Sequence, residues 1–238
     1  MKAGRLRVGV IGAGRVGPVL GMALAGAGHE IVAISAVGDA ERERLDVLLP
    51  RVPVLAVDDV VKRSELVIFA VPSKELPGLV QGLTDTDTWQ AGQIVLHTSA
   101  EHGFGVFQPA MASGIIPIAF HPAMVFTGTS LDLARMQEAT IAVTAPTPVL
   151  PIAQALAVEM GAEPVIVAEA SRAAYADACD ALSTLTMTLA KQALTSLEEL
   201  GLEHTRRTVG SLARAALDEA LGAPVDPLDP EHLNNLGL

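Results

Sequence analysis

One cysteine, Cys179, is the whole thiol content of the chain, so no internal disulfide and no cysteine-built metal cage can form. Aromatic residues are nearly as scarce, at 3% of 238 positions with one Trp and one Tyr. A core must therefore come from Ala, Val and Leu, for which an apolar content of 50% is ample. Basic residues are outnumbered, 16 against 27 acidic, for a formal charge of −11. That excess repels phosphate backbones and anionic lipid surfaces, which argues against nucleic acid or a membrane as partner. No uninterrupted run of ~18–20 apolar residues is present to span a bilayer. A strand pattern begins within a few residues of Met1, with no leader pattern before it. The expectation is a soluble, cytoplasmic protein of one large or two small domains, since domains commonly run ~100–200 residues.

What the chain does have is glycine where a nucleotide needs it. A short β-rich run, Leu6 to Ile11, empties into Gly12-x-Gly14-x-x-Gly17, and a helical pattern follows at once. Gly12 permits the tight turn out of the strand, Gly14 lets a pyrophosphate approach the backbone, and Gly17 lets the helix pack on the strand. The N–H groups from Gly12 through Ala13, Gly14, Arg15 and Val16 to Gly17, with the positive end of the helix, then bind phosphate without a lysine. Glycine-rich turns are common in Ala- and Gly-rich chains, but the strand before and the helix after favour a dinucleotide loop over a structural turn.

Strand and helix signals alternate through the first two-thirds. Strands are expected at Ile31–Ser35, Val54–Ala56, Leu66–Val71, Gln93–His97, Ile115–Phe120, Ala139–Val143 and Pro164–Val167, with helices between them. The continuous run Leu-Val-Ile-Phe-Ala-Val at 66–71 marks a strand buried on both faces. This alternation implies an α/β, doubly wound parallel sheet. From Ala170 to Leu200 there is neither proline nor glycine, and a helix of up to ~45 Å at 1.5 Å per residue is expected. A second helix, 204–221, follows Gly201, and the tail can hold a short helix around Glu231. The expected domains are residues 1–168 and an all-helical 169–238.

Three places could carry chemistry. The first is the tip of the second strand, where an NAD-specific site usually places an acidic residue for the ribose 2′-OH. Ser35 stands there instead, followed by Arg42 and Arg44, which suits the 2′-phosphate of NADP; the competing reading is a pair of solvated helix charges. Asp39 comes late and suits a helix cap. The second is Ala70-Val71-Pro72-Ser73, small residues at the carboxyl edge of the sheet where ligands of open α/β folds bind. The third joins His97-Thr98-Ser99 with Phe120-His121-Pro122, both expected to emerge at that edge. His121 is the candidate acid–base group and Ser99 a candidate to orient the substrate. His97 suits a structural role better. With His102 these histidines raise a metal question, but their spacings match no familiar zinc pattern, and no metal is expected. Lys191, deep in the long helix, reads first as a solvated lysine.

Taken together, VGVIGAGRVG at 8–17, AVPS at 70–73, HTSAEHG at 97–103 and IAFHPAMVFTG at 118–128 resemble a family of two-domain proteins. These join a Rossmann-like domain to a helical domain of unknown function, within the 6-phosphogluconate dehydrogenase-like superfamily. The resemblance covers residues 5–200, and the order of elements is also similar to pyrroline-5-carboxylate reductase and prephenate dehydrogenase. It implies a Rossmann-type fold, a catalytic role for His121 from the His-Pro pair, and an assisting role for Ser99. Members of the family open the long helix with Tyr-His and later carry Asn; this chain has Tyr175-Ala176 and Ser183-Thr184. The tail, through His232-Leu233, is also altered and shortened. A polar wall of the cleft is therefore expected to be missing.

The expected function is an NAD(P)-dependent oxidoreductase acting on a small, anionic hydroxy or imino acid, with NADP ahead of NAD. The alternative is a protein that binds or senses NADP(H) without turnover; a reductase of another carrier, such as a deazaflavin, is a third. A homodimer through the helical domain is expected, because a long lone helix leaves apolar faces uncovered.

Overall fold

Aliphatic runs bounded by glycine or proline form the strands, and the helices between them cover both faces of the sheet. A computed structural model describes residues 5–222. The chain divides into two compact units, the first ending at Cys179 and the second beginning at Asp180. The first unit opens with β1 (Arg7–Ile11), α1 (Gly17–Ala27), β2 (Glu30–Ser35), α2 (Asp39–Leu48), α3 (Val57–Arg63), β3 (Leu66–Phe69) and α4 (Leu76–Asp85). It continues with β4 (Ile94–His97), a 3-10 helix (Phe104–Ser113), β5 (Ile116–Pro122), α5 (Leu131–Met136), β6 (Thr140–Thr144), α6 (Leu150–Glu159) and β7 (Glu163–Ile166). The long helix α7 (Arg172–Glu199) begins in this unit.

The seven strands form one mostly parallel sheet in the order β2-β1-β3-β4-β5-β6-β7. Alternate residues of each strand serve opposite faces. Leu66, Ile68 and Leu96 pack with Leu20 and Leu24 of α1 and Leu156 of α6. Val67, Phe69 and Val95 pack with Val60 of α3, Val80 of α4 and Phe107 of the 3-10 helix. Three of the scarce aromatics meet on this second face, Phe69 lying 6.0 Å from Trp89 and 5.7 Å from Phe107 between ring centroids.

The doubly wound α/β sheet is as expected, and the structure departs from the expectation in detail. The sheet is not wholly parallel, because β6 runs antiparallel to β5 and β7 follows β6. Val54–Ala56 is no strand; it contributes a single bridge, Val54 to Ile34, at the edge of the sheet. The 3-10 helix at 104–113 and the short α5 were not anticipated. The helix expected at 170–200 is α7, 28 residues long and buried only at Arg172 and Ala176. The helix expected around Glu231 lies outside the described residues.

The second unit comprises the rest of α7 and α8 (Thr205–Gly222). Leu189, Ala193 and Leu197 face Val209, Leu212 and Leu217 across an apolar groove of about 560 Å³. Lys191 is exposed.

Candidate dinucleotide and substrate site

Two of the three motif glycines in the loop between β1 and α1 are required by their neighbours. Gly12 has φ +101°, and a Cβ there would lie 2.5 Å from the Ala70 carbonyl oxygen. A Cβ on Gly17 would run into the Gly12 carbonyl and the Val10 side chain. Gly14 differs, since a Cβ there meets nothing within 4 Å. Its missing side chain faces space, as the approach of a pyrophosphate requires.

Other elements hold this loop in shape. The Gly12 N–H donates to Ser35 Oγ at 3.2 Å, which ties the tip of β2 to the turn. Arg44 Nη1 donates to the Ala13 carbonyl at 2.9 Å. A third support comes from Thr127-Gly128, whose Gly128 (φ +76°) passes so close that a Cβ would sit 3.0 Å from Arg44 Nε and 3.2 Å from Arg15 Cα. The buried carboxylate of Asp132 fixes that segment, accepting from the N–H groups of Thr127 at 2.9 Å and Gly128 at 2.8 Å. Burial pulls the Asp132 pKa upward, but the hydrogen bonds from Thr127 and Gly128 outweigh it and hold the carboxyl below its ordinary value. Arg15 and Arg42 are exposed. In the turn between them, Glu41 Oε2 accepts from the Val37 N–H at 2.7 Å.

Ala70 to Ser73 follow β3 directly beside the glycine loop, with Ala70 N–H bonded to Ile11 O at 2.8 Å. The next strand adds a polar cluster. Ser73 and Ser99 hydroxyls lie 2.9 Å apart, and the His102 N–H donates to Ser99 Oγ at 3.3 Å. His102 Nε2 donates to the Ser73 carbonyl at 3.2 Å. Behind them His97 is fully buried. Its Nδ1 accepts from the Ser99 N–H at 3.2 Å, so its proton is on Nε2, which donates to the Gly103 carbonyl at 3.0 Å. With both nitrogens engaged, His97 shapes the Ser99–Gly103 turn.

That burial has a pH signature. Desolvation pushes the His97 pKa from 6.5 down to about 3. The unfolded chain takes up this proton first, so stability is intact above pH 6.5 and declines as pH falls from 6.5 towards 3. This group alone contributes a slope of up to ~1.4 kcal/mol per pH unit. Urea unfolding between pH 7 and 5 is expected to show it, and His97→Gln to flatten it. An equal slope in the variant would assign the effect to another group.

His121 is placed by an overhang. The β4–β5 ladder ends at His97 opposite Ala119, and β5 continues through Phe120, His121 and Pro122 by pairing with β6 instead. The expected strand stopped at Phe120, whereas His121 is itself a ladder residue opposite Ala142. Ser99 and His121 thus each stand two residues beyond the last pair of the β4–β5 ladder. His121 Nδ1 lies 2.9 Å from the Tyr175 hydroxyl at the start of α7. Beside it Arg172 is 1% exposed, donating from Nε to Thr144 Oγ1 at 2.7 Å and from Nη2 to the carbonyls of Ala142 at 2.9 Å and Ala119 at 3.2 Å. The Arg172 guanidinium carbon is 5.8 Å from the Tyr175 ring centroid.

Sequence reasoning did not single out Arg172 and gave Tyr175 no role. A signal existed for each. Tyr175 is the sole tyrosine of an aromatic-poor chain. Arg172 puts a cation at a helix N-terminus with no acidic residue in the first turn, against the helix dipole.

Several solved structures share this fold. A Bacteroides fragilis protein described as a candidate NADP oxidoreductase matches with TM-score 0.76 at 17% identity, over 98% of this chain and 89% of that one. The imine reductase of a Pseudomonas species matches with TM-score 0.69 at 13% identity, over 91% and 75%. Pyrroline-5-carboxylate reductase from Coxiella burnetii matches with TM-score 0.62 at 12% identity, over 98% and 91%. No curated protein sequence matches the chain. Residues 139–226 match a domain of unknown function, DUF2520. With residues 1–122 matching the Rossmann-like domain model, the chain belongs to the Rossmann-like domain family and carries the DUF2520 segment behind it.

Proposed function

We propose that the protein is a nicotinamide-dinucleotide oxidoreductase acting on a small anionic hydroxy or imino acid. The observation that carries this reading is Gly14, whose missing Cβ opens onto space while its two companion glycines are held by backbone contacts. The names of the fold's neighbours, which include an NADP oxidoreductase candidate and imine and pyrroline-carboxylate reductases, support it. When bound, the dinucleotide supplies or accepts the hydride. The loop from Gly12 to Gly17 binds its pyrophosphate, and Ala70 to Ser73 line the path beyond. Ser99 orients the substrate, and His121 handles the proton at the reacting oxygen or nitrogen.

Within this reading the cofactor is NADP(H), with NAD(H) second. The Val37 N–H is already held by Glu41, so a 2′-phosphate would be met by the guanidinium groups of Arg42 and Arg44. The two arginines differ in what they already do, which makes the test sharp. Arg42→Ala is expected to weaken NADPH binding by ~1.5–3 kcal/mol and leave NADH untouched, as one charge-assisted contact is lost. Arg44→Ala should weaken both cofactors, because Arg44 also braces the loop at Ala13. Calorimetric titration of each variant with NADPH and NADH reads this directly. Unchanged NADPH affinity in Arg42→Ala would end the NADP assignment.

Ala176 favours a second reading. It is buried directly after Tyr175, where the resembling family has histidine, so this position provides no polar group. A protein that binds NADP(H) without turning over substrate fits that loss.

We also assign the exposed leucines of the second unit to a homodimer contact. Leu189 is 52% and Leu212 65% exposed beside the apolar groove, and a second copy of the chain covers such a surface with like residues.

A further inference from the structure

We propose that Glu169 is a positioning residue: its carboxylate clamps the turn that carries Ser99 to the root of α7, and so fixes Ser99 relative to His121. The inference rests on the oxidoreductase reading above and adds a residue to that site.

The sheet alone does not join the two groups. The β4–β5 ladder ends at His97 opposite Ala119, and both Ser99 and His121 lie beyond that pair. From Ser99 the chain turns through His102 and Gly103 into the 3-10 helix, while β5 continues along β6. Segment 169–175 spans the gap. It carries Glu169, Arg172 and Tyr175 at intervals of three, the spacing that sets side chains on one helical face. Arg172 grips the β5–β6 ladder through the carbonyls of Ala119 and Ala142 and the Thr144 hydroxyl. Tyr175 stands 2.9 Å from His121 Nδ1. Glu169 is the member that reaches the segment following β4.

That contact is bidentate. Glu169 Oε2 accepts from the Phe104 N–H at 3.0 Å and Oε1 from the Gly105 N–H at 2.9 Å. One carboxylate thus satisfies two free donors at the start of the 3-10 helix. The backbone has also made room for it. A Cβ on Gly103 would run into both carboxylate oxygens, and one on Gly105 would lie 2.9 Å from Oε1. Gly103 is gripped a second time, because its carbonyl accepts from His97 Nε2 at 3.0 Å. The same buried imidazole accepts the Ser99 N–H at Nδ1, 3.2 Å away. Release of the carboxylate therefore frees Gly103 on one side and passes through His97 to Ser99. Burial pulls the Arg172 pKa down, and the Glu169 carboxylate is among the charges that oppose this. The clamp thereby eases the burial of the cation beside it.

The test uses the full chain and two readouts. Amide hydrogen exchange in Glu169→Ala should quicken at least ~ten-fold at Phe104 and Gly105, which lose their acceptor, and also at Ser99. Ser99 is the telling position, since a plain helix cap would loosen Phe104 and Gly105 alone. In NADPH oxidation over 2-oxo acids, kcat should fall about ten-fold, as for a misplaced orienting group, with NADPH affinity within about two-fold of the parent's. Sodium formate should restore both readouts where sodium chloride at equal ionic strength does not, because its two oxygens fit the place of the lost carboxylate. Glu169→Gln should show the loss without the rescue, since its amide sets N–H against N–H and still fills the cradle. Unchanged exchange at Ser99, an equal loss of NADPH affinity, or formate acting no better than chloride overturns the positioning role. A parent that binds NADPH yet turns over no 2-oxo acid brings down the oxidoreductase reading instead. Exchange at Ser99 and its rescue by formate then decide the clamp alone.

Discussion

Gly14→Val should abolish dinucleotide binding, with NADPH and NADH affinities falling at least ~100-fold, while the melting temperature stays near that of the parent. A Cβ at Gly14 meets no protein atom within 4 Å, so the fold is expected to tolerate a side chain there. The same side chain fills the volume a pyrophosphate must enter and holds it off the loop N–H groups. The neighbouring glycines supply the internal control. Gly17→Ala places a methyl group against the Gly12 carbonyl and Val10, and is expected to destabilise the fold by ~1–3 kcal/mol, the usual cost of overpacking. Calorimetry on Gly14→Val with thermal unfolding of both variants separates the two effects. Tight NADPH binding by Gly14→Val would make the loop a structural turn and remove the basis of the proposed function.

The second large effect is expected at His121. With NADPH oxidation followed over a panel of 2-oxo acids, His121→Ala should lower kcat by ~100-fold or more and leave NADPH affinity unchanged, as for loss of an acid–base group. Ser99→Ala should behave differently, because its hydroxyl is already shared with Ser73 and the His102 N–H. Each lost hydrogen bond costs ~0.5–1.5 kcal/mol, so Ser99→Ala should lose stability along with rate. Undiminished turnover by His121→Ala would place the proton chemistry elsewhere.

Much of the first unit was legible because local pattern and tertiary role coincide there. Val8 to Ile11 is apolar, Gly12 to Gly17 breaks it, and α1 begins where the helical spacing does. The reversal of β6 was not legible, since Thr140 to Thr144 is a short apolar strand that reads alike in either direction. The 3-10 helix was hidden for another reason: Gly105 and Pro109 lie inside it and read as loop residues. At the site the limit is separation along the chain. Tyr175 meets His121 across 54 residues, Arg44 meets Ala13 across 31, and no periodicity encodes such pairs. The motif Phe126-Thr127-Gly128 was visible as part of a resemblance, but its physical task, laying Gly128 over Arg15 and Arg44, needed coordinates.

The overhang of β5 bears on how this protein can move. A reactive side chain carried by a loop can be withdrawn or delivered by loop motion alone. The backbone of His121, the proposed acid–base residue, is held instead within a ladder, opposite Ala142, and cannot shift without opening the β5–β6 pairing. Its backbone amide therefore shares the opening free energy of the strands around it rather than that of the neighbouring segments. Any closure over a bound substrate has to come from the partners that approach this fixed point, and the precision of the site is set by the sheet.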